Sequence, residues 1–162
     1  MNFEVWPEAI ELGRLFAEQG YELALVGGPV RDLLLHRRSH DLDFCSSARP
    51  EQFEPILRRW GHDGFWDMGR KFGTLGAMRR RPDGTEVKVE VTTYRSDMYD
   101  PDSRKPEVNY GDTLEGDLSR RDFTVNAMAL RVPDLQFVDP FGGASDLSKG
   151  VLRTPVDPRQ SF

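Results

Sequence analysis

Two aspartates separated by one residue, Asp41 and Asp43, are the residues of this sequence best suited to hold a metal ion. They lie in the segment DLDFCS, which has the pattern of a short strand. Residues i and i+2 of a strand point to the same face, with Cα atoms roughly 6.6 Å apart, so both carboxylates project together while Leu42 faces the core. Such oxygen ligands suit Mg²⁺, which takes one or two carboxylates and completes its shell with water and phosphate. Taken alone, the spacing also fits a polar strand edge or a turn.

A glycine pair, Gly27 and Gly28, ends the preceding buried strand and stands three residues before Arg31. Glycine lets backbone N–H groups approach a ligand closely, and the start of a helix favours an anion. Arg31 adds a bidentate donor suited to phosphate. The pattern therefore indicates a phosphate site, although an ordinary turn with a solvated arginine remains an alternative. The segment lacks the sequences of a P-loop and of a dinucleotide fingerprint.

The pattern of helices and strands around these residues predicts an α+β or α/β domain, in which a mixed sheet carries helices mainly on one side. Val87, Val89 and Val91 alternate with polar residues, which places Glu90 on the polar face of its strand. Helical signals return over residues 113–130, with Thr113 as the N-cap. Helices are expected at 7–20, 29–37, 49–61 and within 135–153, and strands at 21–28, 41–46, 64–69, 72–81, 85–95 and the start of 135–153.

Composition limits the classes of protein that fit. A chain of 162 residues with 38% hydrophobic and 30% charged residues fits one packed domain rather than a disordered segment. The net charge of −5 argues against a simple electrostatic nucleic-acid binder, although basic residues cluster between 58 and 81. The single cysteine excludes an intramolecular disulfide, and neither a signal peptide nor a membrane span is expected. The prediction is a cytoplasmic protein without a membrane partner.

Two segments carry no regular period. Residues 96–112 are rich in Asp, Pro and Ser and predict a long loop, and loops of this length in compact domains are usually functional or mobile. The C-terminal segment TPVDPRQSF stops without a polar tail, so we expect the sequence to be part of a longer protein.

The order of motifs resembles the class II tRNA nucleotidyltransferases, a family of the DNA polymerase β-like superfamily. VGGPVRDLLLHRRSHDLDF is similar to the family's first motif, and LEGDLSRRDFTVNAMAL is similar to its second. VEVTTYR, the YDPDSRKPEV loop and DPFGGASDL occur in the family's order. The resemblance covers residues 21–154, and five motifs in order are far more specific than any one of them.

The resemblance implies a polymerase-β-like palm that adds CMP and AMP from CTP and ATP to the tRNA 3′ end. Asp41 and Asp43 would bind Mg²⁺ and act as the catalytic pair. Gly28 and Arg31 would contact the incoming triphosphate, and Arg121 would contact the nucleotide too. Asp122 and Asn126 would address the ribose, and their spacing of four would place them on one helical face.

The resemblance leaves Glu90 open. Related enzymes often use a third carboxylate on a neighbouring strand, but Glu90 also fits a solvent-facing residue paired with Lys88. It therefore stays outside the predicted site.

Base choice is expected to lie elsewhere. Residues 1–162 would form the catalytic head, and the family's helical neck, body and tail domains, which include the segment that selects the base, would follow it. In the family that this sequence resembles, members that add only C lack the loop after TTYR, so the long loop here is expected to favour CCA addition or A addition over C addition alone. The alternatives are a poly(A) polymerase of the same class and, in another class, a non-catalytic module that binds nucleotide and metal.

Overall fold

A computed structural model describes residues 3–96 and 110–155 of the chain. Most of the predicted long loop, residues 97–109, and the C-terminal residues 156–162 lie outside the described residues. Within the described ranges, no helix is long and apolar enough to cross a membrane.

The helices border a central sheet and follow the predicted positions closely up to residue 96. α2 begins at Gly28, one residue before the predicted start, and α3 tolerates Pro55 in its interior. The helices are α1 (Pro7–Glu18), α2 (Gly28–Leu34), α3 (Pro50–Trp60), α4 (Leu114–Ser119) and α5 (Gly143–Lys149), with 3₁₀ turns at Arg70–Phe72 and Thr124–Asn126.

Seven strands form one mixed sheet in the order β3-β4-β5-β2-β1-β6-β7. Among the strands of residues 3–96 and 110–155, only the pairing of β2 with β5 is parallel, and the chain crosses between these two strands through α3, β3 and β4. The strands are β1 (Leu23–Val26), β2 (Asp41–Ser46), β3 (Gly64–Asp67), β4 (Thr74–Arg80), β5 (Glu86–Thr93), β6 (Ala129–Arg131) and β7 (Gln136–Val138).

The larger core lies on the face of the sheet covered by α1 and α3. Phe16 and Phe53 are fully buried there, with ring centroids 6.0 Å apart. The indole N–H of Trp60 donates to the Glu8 carbonyl oxygen at 2.9 Å and joins the two helices. Gly13 allows α1 to pack tightly, because a β-carbon there would lie 2.7 Å from the Val132 backbone. The prediction of an α/β sheet with helices mainly on one face is confirmed.

The opposite face carries a smaller core beneath α4. Ala24 and Val26 of β1 and Cys45 of β2 pack there with Leu114 and Leu118. Because strand side chains alternate, Asp41 and Asp43 share this face with Cys45. The second face therefore combines a small apolar patch with the predicted site.

The helix predicted across residues 113–130 is wrong beyond Ser119. The Thr113 hydroxyl does cap α4, accepting the Gly116 N–H at 3.1 Å. Phe123 is extended, and the chain then enters β6, which pairs with the free edge of β1. Pairing a strand edge satisfies a row of backbone groups, and this tertiary gain overrides the local helical signals.

Candidate active site

The aspartate pair occupies β2, as the alternation of the strand predicts. Asp41 and Asp43 are exposed, while Leu42 and Phe44 between and after them are buried in the larger core. The Ser39 hydroxyl fixes the start of the strand: it accepts the Asp41 N–H at 3.2 Å and donates to the Asp41 carbonyl oxygen at 2.9 Å. The core side of β2 therefore holds the backbone from which both carboxylates project.

Glu90 lies beside this pair on the neighbouring strand. It is the register partner of Asp43 in the parallel ladder and is half-buried. Lys88, the alternative partner for Glu90, forms its ion pair with Glu86 at 3.8 Å. Three acidic side chains therefore share one face of two adjacent strands.

The electrostatics of this acidic group follow from burial and repulsion. Part of Asp43 reaches solvent, but protein surrounds the rest, and the lost hydration raises the pKa of its carboxyl despite the nearby Arg121 guanidinium. Burial likewise raises the pKa of Glu90, and repulsion from Asp43 and Asp41 raises it further. A divalent cation would compensate this repulsion, so the carboxylate oxygens fit a hard ion such as Mg²⁺.

The fit concerns two carboxylates rather than three. Across residues 3–96 and 110–155, no group of three or more His, Cys, Asp or Glu side chains stands in a metal-binding arrangement. Because Mg²⁺ needs only one or two protein carboxylates, Asp41 and Asp43 would be enough to hold it at this site. Glu90 is placed beside the pair but remains outside the candidate ligand set.

The glycine pair forms a sharp turn from β1 into α2. Gly27 has φ 73° and ψ −144°, a conformation that only glycine adopts readily. Two guanidinium groups lie over this turn: a β-carbon built on Gly27 would be 3.7 Å from Arg121 Nη1, and one on Gly28 would be 3.5 Å from Arg31 Nη2. Glycine therefore leaves the space beneath both arginines open.

Asn126 supports Arg31 rather than sharing a helical face with Asp122. Arg31 Nη1 donates to Asn126 Oδ1 at 3.4 Å. The argument that placed Asp122 and Asn126 on one helix is wrong, because α4 ends at Ser119 and Asn126 lies in a 3₁₀ turn. Both residues nevertheless reach the same cavity.

An open cavity of about 400 Å³ brings the predicted residues together. The predicted residues that line it are Gly28, Arg31, Asp43, Arg121, Asp122 and Asn126. Asp41 lies two residues before Asp43, on the same face of β2. Their proximity is a structural finding, and their individual roles remain predictions. The full lining is Gly27, Gly28, Arg31, Asp43, Arg120, Arg121, Asp122 and Asn126.

Sequence reasoning missed Arg120 and the buried Asp117. Asp117 Oδ1 accepts Arg121 Nη2 at 3.0 Å, and its Oδ2 lies 3.5 Å from Arg120 Nη2. The signal was present, because an acidic residue followed three and four positions later by arginines is the spacing of helical ion pairs.

The match to a family model covers most of the chain. Residues 23–153 match the model described as the poly A polymerase head domain. Relatives named CCA-adding enzyme include that of Streptococcus pneumoniae, 44% identical over 91% of this chain, and that of Lactobacillus gasseri, 38% identical over 93%. The chain spans 35% of the length of each, about a third of these relatives.

Solved structures show the same relation in three dimensions. The Bacillus stearothermophilus CCA-adding enzyme in complex with CTP is 34% identical, with a TM-score of 0.75 over 96% of this chain and 34% of its own. The Thermotoga maritima CCA-adding enzyme complexed with tRNA-CCA is 29% identical, with a TM-score of 0.71 over 94% of this chain and 34% of its own. These similarities confirm the predicted nucleotidyltransferase resemblance. The family model matches residues 23–153, well over half of the chain, and this range includes every predicted site residue. The chain therefore belongs to the family of the poly(A) polymerase head domain.

Proposed function

We propose that this chain is the catalytic head of an enzyme that adds CMP and AMP, from CTP and ATP, to the 3′ end of tRNA and releases pyrophosphate. The observation that carries the proposal is the cavity that joins an aspartate pair to a group of arginines over a glycine turn. The names of the relatives support it, because they are CCA-adding enzymes with structures titled for CTP and for tRNA. Its expected location is the cytoplasm.

The guanidinium groups and the carboxylates of the site suit different parts of the reaction. Arg31 and Arg121 present guanidinium groups beside Gly28, and such groups bind phosphate oxygens in pairs. Asp41 and Asp43 would hold Mg²⁺, which when bound supplies charge neutralisation for the phosphates and lowers the pKa of the attacking hydroxyl. In this arrangement the arginines would hold the triphosphate so that its α-phosphorus faces Asp41 and Asp43.

Ribose recognition falls to Asp122 and Asn126 in the lining of the cavity. Asp122 is exposed there, and its carboxylate can accept a hydrogen bond from a 2′-hydroxyl, as acidic residues do in dinucleotide sites. Asn126 already accepts from Arg31 through its amide oxygen, so its amide N–H groups are the donors left for the ribose. This arrangement favours a ribonucleotide over a deoxyribonucleotide.

We propose that residues 1–162 form the head alone and that base selection requires other segments of a longer protein. The share of the relatives that this chain spans supports this division. The groups that line the described cavity are those proposed here to bind phosphate and ribose, and neither role would distinguish cytosine from adenine. Order and number of additions are therefore expected to depend on the helical domains.

The description of the family model favours one alternative, poly(A) addition. Product length separates the two activities. The full-length protein, given a tRNA that lacks its terminal CCA together with CTP and ATP, is expected to add three nucleotides and stop. A growing tail made from ATP alone would identify a poly(A) polymerase, and magnesium-dependent CTP binding without pyrophosphate release would identify a non-catalytic module.

A further inference from the structure

Asp117 is the most deeply buried carboxylate near the cavity, yet it lines no part of it. Its side chain is 1% exposed, within α4 and among the apolar residues of the smaller core. Carboxylates are almost never buried this completely unless they are paired. We propose that Asp117 is a positioning residue that holds Arg120 and Arg121 in place for the triphosphate. This inference rests on the proposed nucleotidyl transfer.

Both oxygens of Asp117 are engaged. Oδ1 accepts a hydrogen bond from Arg121 Nη2 at 3.0 Å. Oδ2 accepts the backbone N–H of Arg95 at 2.9 Å and lies 3.5 Å from Arg120 Nη2. The backbone just after β5 therefore holds the carboxylate in place, and the carboxylate in turn holds the side chains of Arg120 and Arg121.

The direction of Arg121 shows what this anchoring achieves. One arm of its guanidinium, Nη2, is held by Asp117, while Nη1 lies over the turn, 3.7 Å from the position of a Gly27 β-carbon. A planar guanidinium with one arm fixed has the orientation of its other arm fixed as well. Asp117 therefore aims Arg121 at the space left open above the glycines.

Arg120 adds a third guanidinium group to the lining of the cavity. It lines the cavity beside Arg121 and Arg31 and is about a quarter exposed. The lining contains three guanidinium groups and two carboxylates, those of Asp43 and Asp122. Without Asp117, like charges would separate Arg120 and Arg121, because neighbouring cations repel one another. Asp117 lies within 3.5 Å of both and keeps them together in the lining, where their combined charge attracts a polyanion.

The test compares ligands that differ only in phosphate number. Asp117→Asn in the full-length protein keeps the shape of the side chain and removes its charge. We expect the dissociation constant of CTP to rise about tenfold or more, the loss expected when a charge-assisted hydrogen bond is removed. The factor should be smaller for CDP and smallest for CMP, and KM should rise more than kcat falls. A role in folding alone would weaken all three nucleotides by the same factor, and that result would overturn the proposal.

A double-mutant cycle asks whether Asp117 acts through Arg121. In an Arg121→Ala background, Asp117→Asn should reduce CTP affinity by a smaller factor than it does in the wild type, because one of the two side chains that it positions is gone. Full additivity of the two losses would contradict the inference. If Asp117→Asn fails to fold, Asp117→Glu retains the buried charge while displacing both guanidinium groups, and the loss for CTP must again exceed that for CMP.

A matched control is Asp146→Asn. Asp146 is also buried and pairs with an arginine, Arg153, which does not line the cavity. Its replacement is expected to lower Tm and to change CTP and CMP affinity by equal factors. The wild-type protein separates the two claims: if it adds no nucleotide to tRNA, the proposed function fails, and if it does so while Asp117→Asn binds CTP normally, only the role of Asp117 fails.

Discussion

The two faces of the sheet are built from the same strands and serve opposite purposes. On β2, Phe44 is 1% exposed in the larger core, while its neighbour Asp43 faces the cavity. On β5, Val89 and Val91 are fully buried, while Glu90 between them lies on the acidic side. One face gains stability from close packing, and the other keeps charges close together at some cost in stability. Because side chains alternate between the two faces of a strand, β2 and β5 each anchor themselves in the core through one set of residues and present acidic groups through the residues between them.

Replacing the core residue of β2 tests the stabilising face. Phe44→Ala should lower the free energy of unfolding by about 3–5 kcal/mol, because it removes a large buried side chain and leaves a cavity. Chemical denaturation of the full-length protein measures this loss. An unchanged unfolding midpoint would show that β2 does not depend on the larger core.

Replacing the adjacent acidic residue tests the other face. Asp43→Asn should leave stability unchanged or raise it by less than about 1 kcal/mol at neutral pH, because solvent screens a partly exposed carboxylate. Thermal unfolding without divalent ions measures the change. A loss of stability comparable to that of Phe44→Ala would remove the contrast between the two faces.

The same contrast predicts a pH dependence. The folded-state pKa values of Asp43 and Glu90 are raised above their ordinary values, so the folded protein holds their protons more tightly than the unfolded chain. Their contribution therefore favours folding at acidic pH and is lost as pH rises from the ordinary carboxyl range through the raised pKa values. The double variant Asp43→Asn, Glu90→Gln should flatten that part of the stability curve, and an unchanged slope would contradict the assigned cause.

The sequence predicted the fold well up to residue 96 because its local signals and tertiary demands agree there. The alternation in DLDFCS placed both aspartates, and the valines of β5 placed Glu90, before any contact was known. The segment after Ser119 was predicted wrongly because its strand, β6, exists only through pairing with β1. Local propensity carries no information about a free strand edge elsewhere in the chain.

The sequence predicted which residues form the site but not the contacts between them. Motif resemblance found Arg31, Arg121, Asp122 and Asn126, which all line one cavity. It did not find Asp117, because a residue that acts through other side chains has no chemistry of its own to recognise. Nor could it show that Asn126 accepts from Arg31, a contact between residues far apart in sequence.

The central claim is that the aspartate pair on the open face of β2 carries out nucleotidyl transfer without being needed for the fold. The most direct measurement is incorporation of labelled CTP and ATP into a tRNA lacking CCA by the full-length wild type and by its Asp41→Ala, Asp43→Ala variant, with Tm measured on both. The account predicts that incorporation falls at least about a hundredfold while Tm stays at or above the wild-type value. Retained incorporation by a folded variant would contradict it.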